Sequence, residues 1–114
     1  MKNQECRLNG LQYEKFVAYQ LSAQGFRNMR ETPKTGDYGA DLLCFDLCGR
    51  SCAVQCKYYQ KKVGYKAVQE ALSGAKYYNC SRAILVTNIG YTRNAKKGAK
   101  RLGVDLYICL IGYL

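Results

Sequence analysis

The six residues Arg82–Thr87, RAILVT, are almost continuously apolar and stand between two stretches of helical pattern. A short run of that kind reads as a strand buried on both faces, which requires helices on both sides of its sheet. The rest of the chain supplies them. Residues 9–24 show a 3.6-residue period, with Leu11, Val17, Ala18 and Leu21 sharing a stripe, and Gly25 is suited to end the helix. Residues 26–31 read weakly as a strand, and residues 32–39, TPKTGDYG, as a turn-rich loop. Residues 41–47 and 52–58 read as a hairpin that turns at Gly49, Arg50 and Ser51. Residues 63–78 form a second amphipathic helix with Val68, Ala71, Leu72 and Ala75 on its apolar side. Thr92 can N-cap a third helix that ends before Gly103, and residues 104–111 close as a strand. The order αβββαβαβ predicts a three-layer α/β domain around one mixed sheet. At 114 residues, the chain is expected to be one domain over residues 1–114 with a single modest core.

Charge narrows the partner. Eighteen basic residues against 8 acidic ones give a formal net charge of +10. Such an excess points to a polyanion, nucleic acid ahead of an acidic membrane surface. No apolar run approaches the ~20 residues of a membrane span, and the first ten residues lack an apolar signal region, so a cytoplasmic protein is expected. There is no histidine, which excludes a histidine-based triad and a His-ligated zinc site. Seven cysteines, an odd number without a secretion signal, argue against a disulfide framework. Cys44, Cys48, Cys52 and Cys56 recur every four residues. With the turn at Gly49, Cys48 would oppose Cys52 and Cys44 would oppose Cys56. The two pairs would lie about 13 Å apart, too far for one metal. They read as small apolar residues on the sheet face away from the polar groups.

The chemistry concentrates between Gly36 and Tyr58. Asp41 opens an apolar run, and the next run contains Gln-x-Lys, Gln55 and Lys57. Alternation puts Ala53, Gln55 and Lys57 on one face and Cys52, Val54 and Cys56 on the other. The hairpin would bring together a carboxylate, an amide oxygen and an ammonium. Two oxygens that can share a divalent cation, beside a lysine, suit metal-assisted phosphodiester hydrolysis. Glu14 lies seven residues before Leu21, hence about 20° from it around the helix. A carboxylate on a core-facing stripe calls for a bound cation or a buried lysine, unless it sits at the stripe's edge and reaches solvent.

These residues resemble the Mrr-type restriction endonucleases, a branch of the PD-(D/E)XK nuclease superfamily. The resemblance runs through GLQYEKFVAYQL, PKTGDYGADLL, AVQCKYY, KAVQEALSGAK, ILVTN and YTRNAKKGAKRLG. It implies a restriction-endonuclease-like fold and Mg²⁺-dependent hydrolysis of DNA, with Mn²⁺ as substitute cation. It assigns catalysis to Glu14, Asp41, Gln55 and Lys57, and the metal to Asp41, Gln55 and Glu14. Lys57 would position the attacking water, neutralise the transition state or, if its neighbours depress its pKa, accept a proton. Gln55 departs from the superfamily's commoner Asp or Glu and removes one negative charge, which Glu14 would restore. Glu70 is a candidate outer carboxylate, though a solvated helix residue is the plainer expectation.

Basic residues would grip the DNA. Arg93, Lys96, Lys97, Lys100 and Arg101 share one side of the third helix, opposite Ala95, Ala99 and Leu102. Lys61, Lys62 and Lys66 follow the Gln-x-Lys strand, and Lys34 precedes Asp41. Tyr58, Tyr59 and Tyr65 could stack on unpaired bases or pack on the sheet. Gly36 and Gly39 would let the backbone bend close to DNA. A restriction-type or structure-specific endonuclease is the expected function. Its rivals are a Holliday-junction-resolvase-like nuclease, for which a homodimer is expected, and an inactive DNA-binding module of the same fold. The chain's length leaves target selection to a separate specificity subunit, a further domain or DNA structure.

Overall fold

The computed structural model describes residues 9–33, 36 and 38–110. Its elements run α1 (Gly10–Ala23), β1 (Arg27–Glu31), β2 (Leu42–Phe45), β3 (Ser51–Lys57), α2 (Tyr65–Tyr77), β4 (Arg82–Thr87), α3 (Arg93–Leu102) and β5 (Val104–Ile108). This is the expected order. The strands lie side by side as β1-β2-β3-β4-β5. The first three are antiparallel neighbours, whereas β3, β4 and β5 are parallel. The interior position of β4, between β3 and β5, agrees with its unbroken apolar sequence, which leaves Ala83 to Thr87 buried.

Each side of the sheet has its own core. On one side α1 packs Tyr13, Val17 and Leu21 against Leu42, Cys44, Cys52, Val54, Ile84 and Val86. On the other, α2 and α3 pack Val68, Ala71, Ala75, Ala95 and Ala99 against Ala53, Ala83 and Leu85. Small residues dominate the second core, so its helices sit close to the strands. One close approach joins Gly74 of α2 to Gly39 in the loop before β2. A Cβ at Gly39 would overlap the Glu70 carbonyl, and one at Gly74 would overlap the Gly39 carbonyl. Gly39 also has a φ of +93°. Its glycine character therefore serves packing against α2. Gly36 is exposed at φ +66°.

Local signals set the helix ends. Asn9 and Gln12 form a reciprocal capping box at α1. Gln24 is the C-cap of α1, and Gly25, at φ +105°, follows it. The Phe26 N–H returns to the Leu21 carbonyl and the Gly25 N–H to that of Ser22, the paired bonds of a Schellman ending. The Thr92 side chain accepts from the Ala95 N–H and caps α3.

The structure corrects the expectations for the α1 stripe and the hairpin. The buried stripe of α1 is Tyr13, Val17 and Leu21, while Leu11 is 44% exposed. Two residues apart is 200° around a helix, so Leu11 and Tyr13 cannot share a face. Tyr13 wins because its hydroxyl can donate to the Cys109 carbonyl at 2.9 Å while its ring stays dry. The hairpin register also differs. Cys44 pairs with Cys52 and Leu42 with Val54. The turn is Asp46-Leu47-Cys48-Gly49, closed by the Gly49 N–H on the Asp46 carbonyl. Asp46 sets it, because its carboxylate accepts from the N–H groups of Cys48 and Arg50 at 2.9 and 2.8 Å. Cys48 is therefore exposed at the tip, whereas Cys44 and Cys52 are buried, and the six described cysteines are all free thiols.

Candidate active site

The hairpin and α2 build one polar constellation at the end of the sheet where β3 and β4 finish. Lys57 pairs with Thr87 across these parallel strands, so both strands end together. Beyond them, Asn88 accepts from the Tyr59 N–H at 2.8 Å and donates to the Tyr59 carbonyl at 2.9 Å. Val63 bridges to Tyr91. The segment after β3 is thus tied to the segment that enters α3.

Asp41 stands one residue before β2, only 8% exposed. Its backbone N–H donates to the Val54 carbonyl, and its Oδ2 accepts from the Cys56 N–H at 2.8 Å. Gln55 is 6% exposed. The orientation that satisfies its amide puts Nε2 3.1 Å from Asp41 Oδ2 and 3.2 Å from the Gly39 carbonyl. Turned over, the same amide would present its oxygen to those two oxygens, an arrangement that a cation would relieve. Lys57 projects from the same face as Gln55, two residues on. Its Nζ lies 2.8 Å from Glu70 Oε1, with side chains 16% and 36% exposed. Burial works against the ammonium, but the hydrogen bonds to Glu70 and then Tyr59 outweigh it and raise the Lys57 pKa above its ordinary value. Lys57 is thus a charged donor at neutral pH, contrary to the proton-acceptor role weighed from sequence. Glu70 is its ion-pair partner and not a solvated helix residue. Nothing in the local sequence pairs these two; α2 must first dock on the sheet.

Glu14 belongs to α1, on the opposite side of the sheet. It is half-buried at the edge of the Tyr13–Val17–Leu21 stripe, not in its middle. It reaches the same end of β3 electrostatically: burial, then Asp41, then Glu14 push the Cys56 thiol well above its usual pKa. The Cys56 thiol thus lies within electrostatic reach of both carboxylates. Among the described residues, no three His, Cys, Asp or Glu side chains gather as a metal cluster. The oxygen set on offer is two carboxylates and one amide.

The basic residues fall into groups. Lys61 and Lys62 are exposed in the segment after β3. Lys66, at the start of α2, lines a pocket of about 210 Å³ with Lys57, Tyr59 and Glu70. Arg93 begins α3 at this same end of the sheet, and Lys96, Lys97, Lys100 and Arg101 are exposed along the helix behind it. At 1.5 Å per residue, Arg101 is about 12 Å farther along the axis than Arg93. Lys97 and Arg101 border a shallow hollow with Tyr65. Lys34 lies outside the described residues. Of the tyrosines, Tyr58 stacks on Tyr13 with centroids 4.9 Å apart and so packs on the protein, while Tyr59 lies beneath Lys57 Nζ at 5.7 Å.

Known proteins share this arrangement of elements. A crystal structure of AF1548, a protein of unknown function, is similar with a TM-score of 0.74 at 18% identity, over 88% of this chain and 58% of that one. EndoMS in complex with double-stranded DNA gives 0.71 at 18% identity, over 100% and 50%. A repair endonuclease from Pyrococcus abyssi gives 0.57 at 22% identity, over 97% and 48%. The chain thus spans about half the length of these solved chains. Among curated proteins none matches it. At these identities the likeness establishes a shared restriction-endonuclease-like fold. Among the described residues no helix is long and apolar enough to cross a membrane. Residues 6–109 match the family model Mrr_cat, restriction endonuclease, and the chain therefore belongs to the Mrr-type restriction endonuclease family of nucleases.

Proposed function

We propose that this chain hydrolyses DNA phosphodiesters with a divalent cation, Mg²⁺ first and Mn²⁺ as substitute. The observation that carries the reading is the contact of Asp41 with the Gln55 amide beside a lysine held ionised by Glu70. Asp41, Glu14 and the amide oxygen of Gln55 would hold the ion, since hard oxygens suit Mg²⁺. When bound, the ion shields phosphate charge and makes a water more acidic. Lys57 keeps its proton through the Glu70 pair and donates hydrogen bonds to the charge that develops on the phosphate oxygens. Glu70 holds the Lys57 Nζ in place. The Cys56 N–H fixes the Asp41 carboxylate against β3. Gln55, in accepting a cation, would exchange its donated bonds to Asp41 and Gly39 for coordination through Oε1. Lys61, Lys62, Lys66 and Arg93 lie at the site's end of the molecule and would meet the flanking phosphates, with Lys96, Lys97, Lys100 and Arg101 extending the contact.

Nicking of supercoiled plasmid with Mg²⁺ or Mn²⁺ tests the reading. Asp41→Ala should reduce cleavage by about three orders of magnitude, on the scale of losing a preorganised charge stabiliser. Calorimetric titration of Mn²⁺ should show weaker binding to Asp41→Ala than to wild type, and binding at least as tight to Gln55→Glu. Equal binding by all three would remove these positions as ligands. DNA binding without cleavage by the wild type would favour the DNA-binding module.

A further inference from the structure

Beside the Lys57–Glu70 pair, a surface cleft of about 490 Å³ runs along α2. It is lined by Tyr38, Gly39, Lys66, Gln69, Glu70, Ser73 and Tyr77. Lys66, Gln69, Glu70, Ser73 and Tyr77 recur at spacings of three and four, so they form one face of the helix. Glu70 belongs both to this cleft and to the pocket containing Lys57, so the two hollows adjoin. Gly39 stands two residues before Asp41. Two exposed tyrosines close the far end. Tyr38 and Tyr77 are 54% and 57% exposed, yet their rings stack with centroids 3.9 Å apart and planes at 11°. Tyr38 holds this position with φ +58°, a conformation that bulky residues adopt at a free-energy cost. The stack lies mostly in solvent, so core packing does not account for it. Tyr77 is seven residues beyond Glu70, which is about 10 Å along the helix.

We propose that this cleft binds an unpaired nucleobase of the DNA, stacked on the Tyr38–Tyr77 platform, with Lys66 on a backbone phosphate nearer the cut. The proposal deepens the nuclease reading above and rests on it. It makes the preferred substrate DNA with a base outside the stack, such as a bulge or a gap. The cleft is large enough for a base and its sugar. Its walls supply an aromatic face, one cation for phosphate, and the Gln69 amide and Ser73 hydroxyl for a base edge. This is the combination that single-stranded nucleic acid selects, because every base has a π-face and an unpaired one is cheapest to present.

The test uses the full chain in an Asp41→Asn background, so that binding is read without cutting. Fluorescence anisotropy should show tighter binding to a duplex with a one-nucleotide bulge than to the same duplex fully paired. Tyr77→Ala should weaken bulge binding about tenfold, with a smaller effect on paired duplex. Tyr77→Phe, which keeps the ring, should bind the bulge like its parent. Replacing the bulged base with 2-aminopurine should give fluorescence quenched on binding, and Tyr77→Ala should restore it. Thermal melting of each variant shows that it is folded; Tyr38→Ala replaces Tyr77→Ala if that variant melts early, with the same expected loss. Equal affinity for bulged and paired duplex, or equal loss on both, overturns the proposal. Failure of the nuclease reading instead shows as absent cleavage by wild type on every substrate, whatever the binding preference.

Discussion

Two aspartates bracket β2, and they have opposite lives. Asp46 closes the hairpin at the far end of the sheet. Its carboxylate takes the Cys48 and Arg50 N–H groups, Arg50 Nε at 2.9 Å and Arg82 Nη1 at 3.2 Å. Arg82 in turn pairs with Asp105 at 2.7 Å. Asp41, five residues earlier, is as well buried, but it faces the Cys56 N–H and an amide that can turn over. Two guanidinium groups fix the first charge for good. The second meets a backbone N–H and an amide that can turn over, the setting that the proposed cation site requires. Burial alone does not tell a working carboxylate from a structural one; the character of the partners does.

The largest expected separation between the two ends is in cleavage. Asp41→Ala removes it, as above, whereas Asp46→Asn should cut plasmid at the wild-type rate. Equal losses from both would erase the distinction. The next effect is on stability. Gly39→Ala places a Cβ on the Glu70 carbonyl and keeps a positive φ, so it should cost about 2–4 kcal/mol in urea unfolding. Gly49→Ala, at φ +81° in the hairpin turn with open space around it, should cost about 1 kcal/mol. A reversed order would mean that the α2 contact is soft.

Glu70→Gln should have a smaller, pH-dependent effect. The Lys57 pKa is raised in the folded chain although burial opposes it, so the pair's contribution is complete below the ordinary lysine pKa of ~10.4 and is lost as pH rises through the folded value. Without Glu70 that value falls, and the alkaline limb of the cleavage profile should move to lower pH, with about a tenfold loss or less at neutral pH. Smallest is the acid response of Asp46. The Arg50 N–H, against the opposing effect of burial and helped by Arg82, holds its carboxyl below the ordinary value. Its stabilisation is present above the unfolded pKa of ~3.9 and is lost as pH falls through the lower folded one. Asp46→Asn should melt earlier than wild type at neutral pH, and the gap should close toward pH 3.

The contrast also explains what could be read in advance. Thr92, Gly25 and the apolar β4 announce their elements within a few residues, so the order of elements was legible. Gln55 and Lys57 share a face by strand alternation, and that too needs no tertiary knowledge. The hairpin register was not legible, because Gly49 suits several turns and the choice rests on the Asp46 carboxylate reaching Arg50. Leu11 misled because apolarity hid that Tyr13 has a carbonyl partner 96 residues away. Glu70 and the Tyr38–Tyr77 stack come from α2 lying against the loop before β2, a contact set by two glycines that carry no polar signal.

The exposed thiol of Cys48 has a practical use. Among the described cysteines it is the exposed one, and it sits at the hairpin tip, whereas Lys57 ends the seven-residue β3, about 20 Å along the strand from its start. A maleimide dye attached there would leave the proposed active site untouched. It would sit within energy-transfer range of a second dye on the DNA, so the approach, bending and release of the substrate could be timed on single molecules.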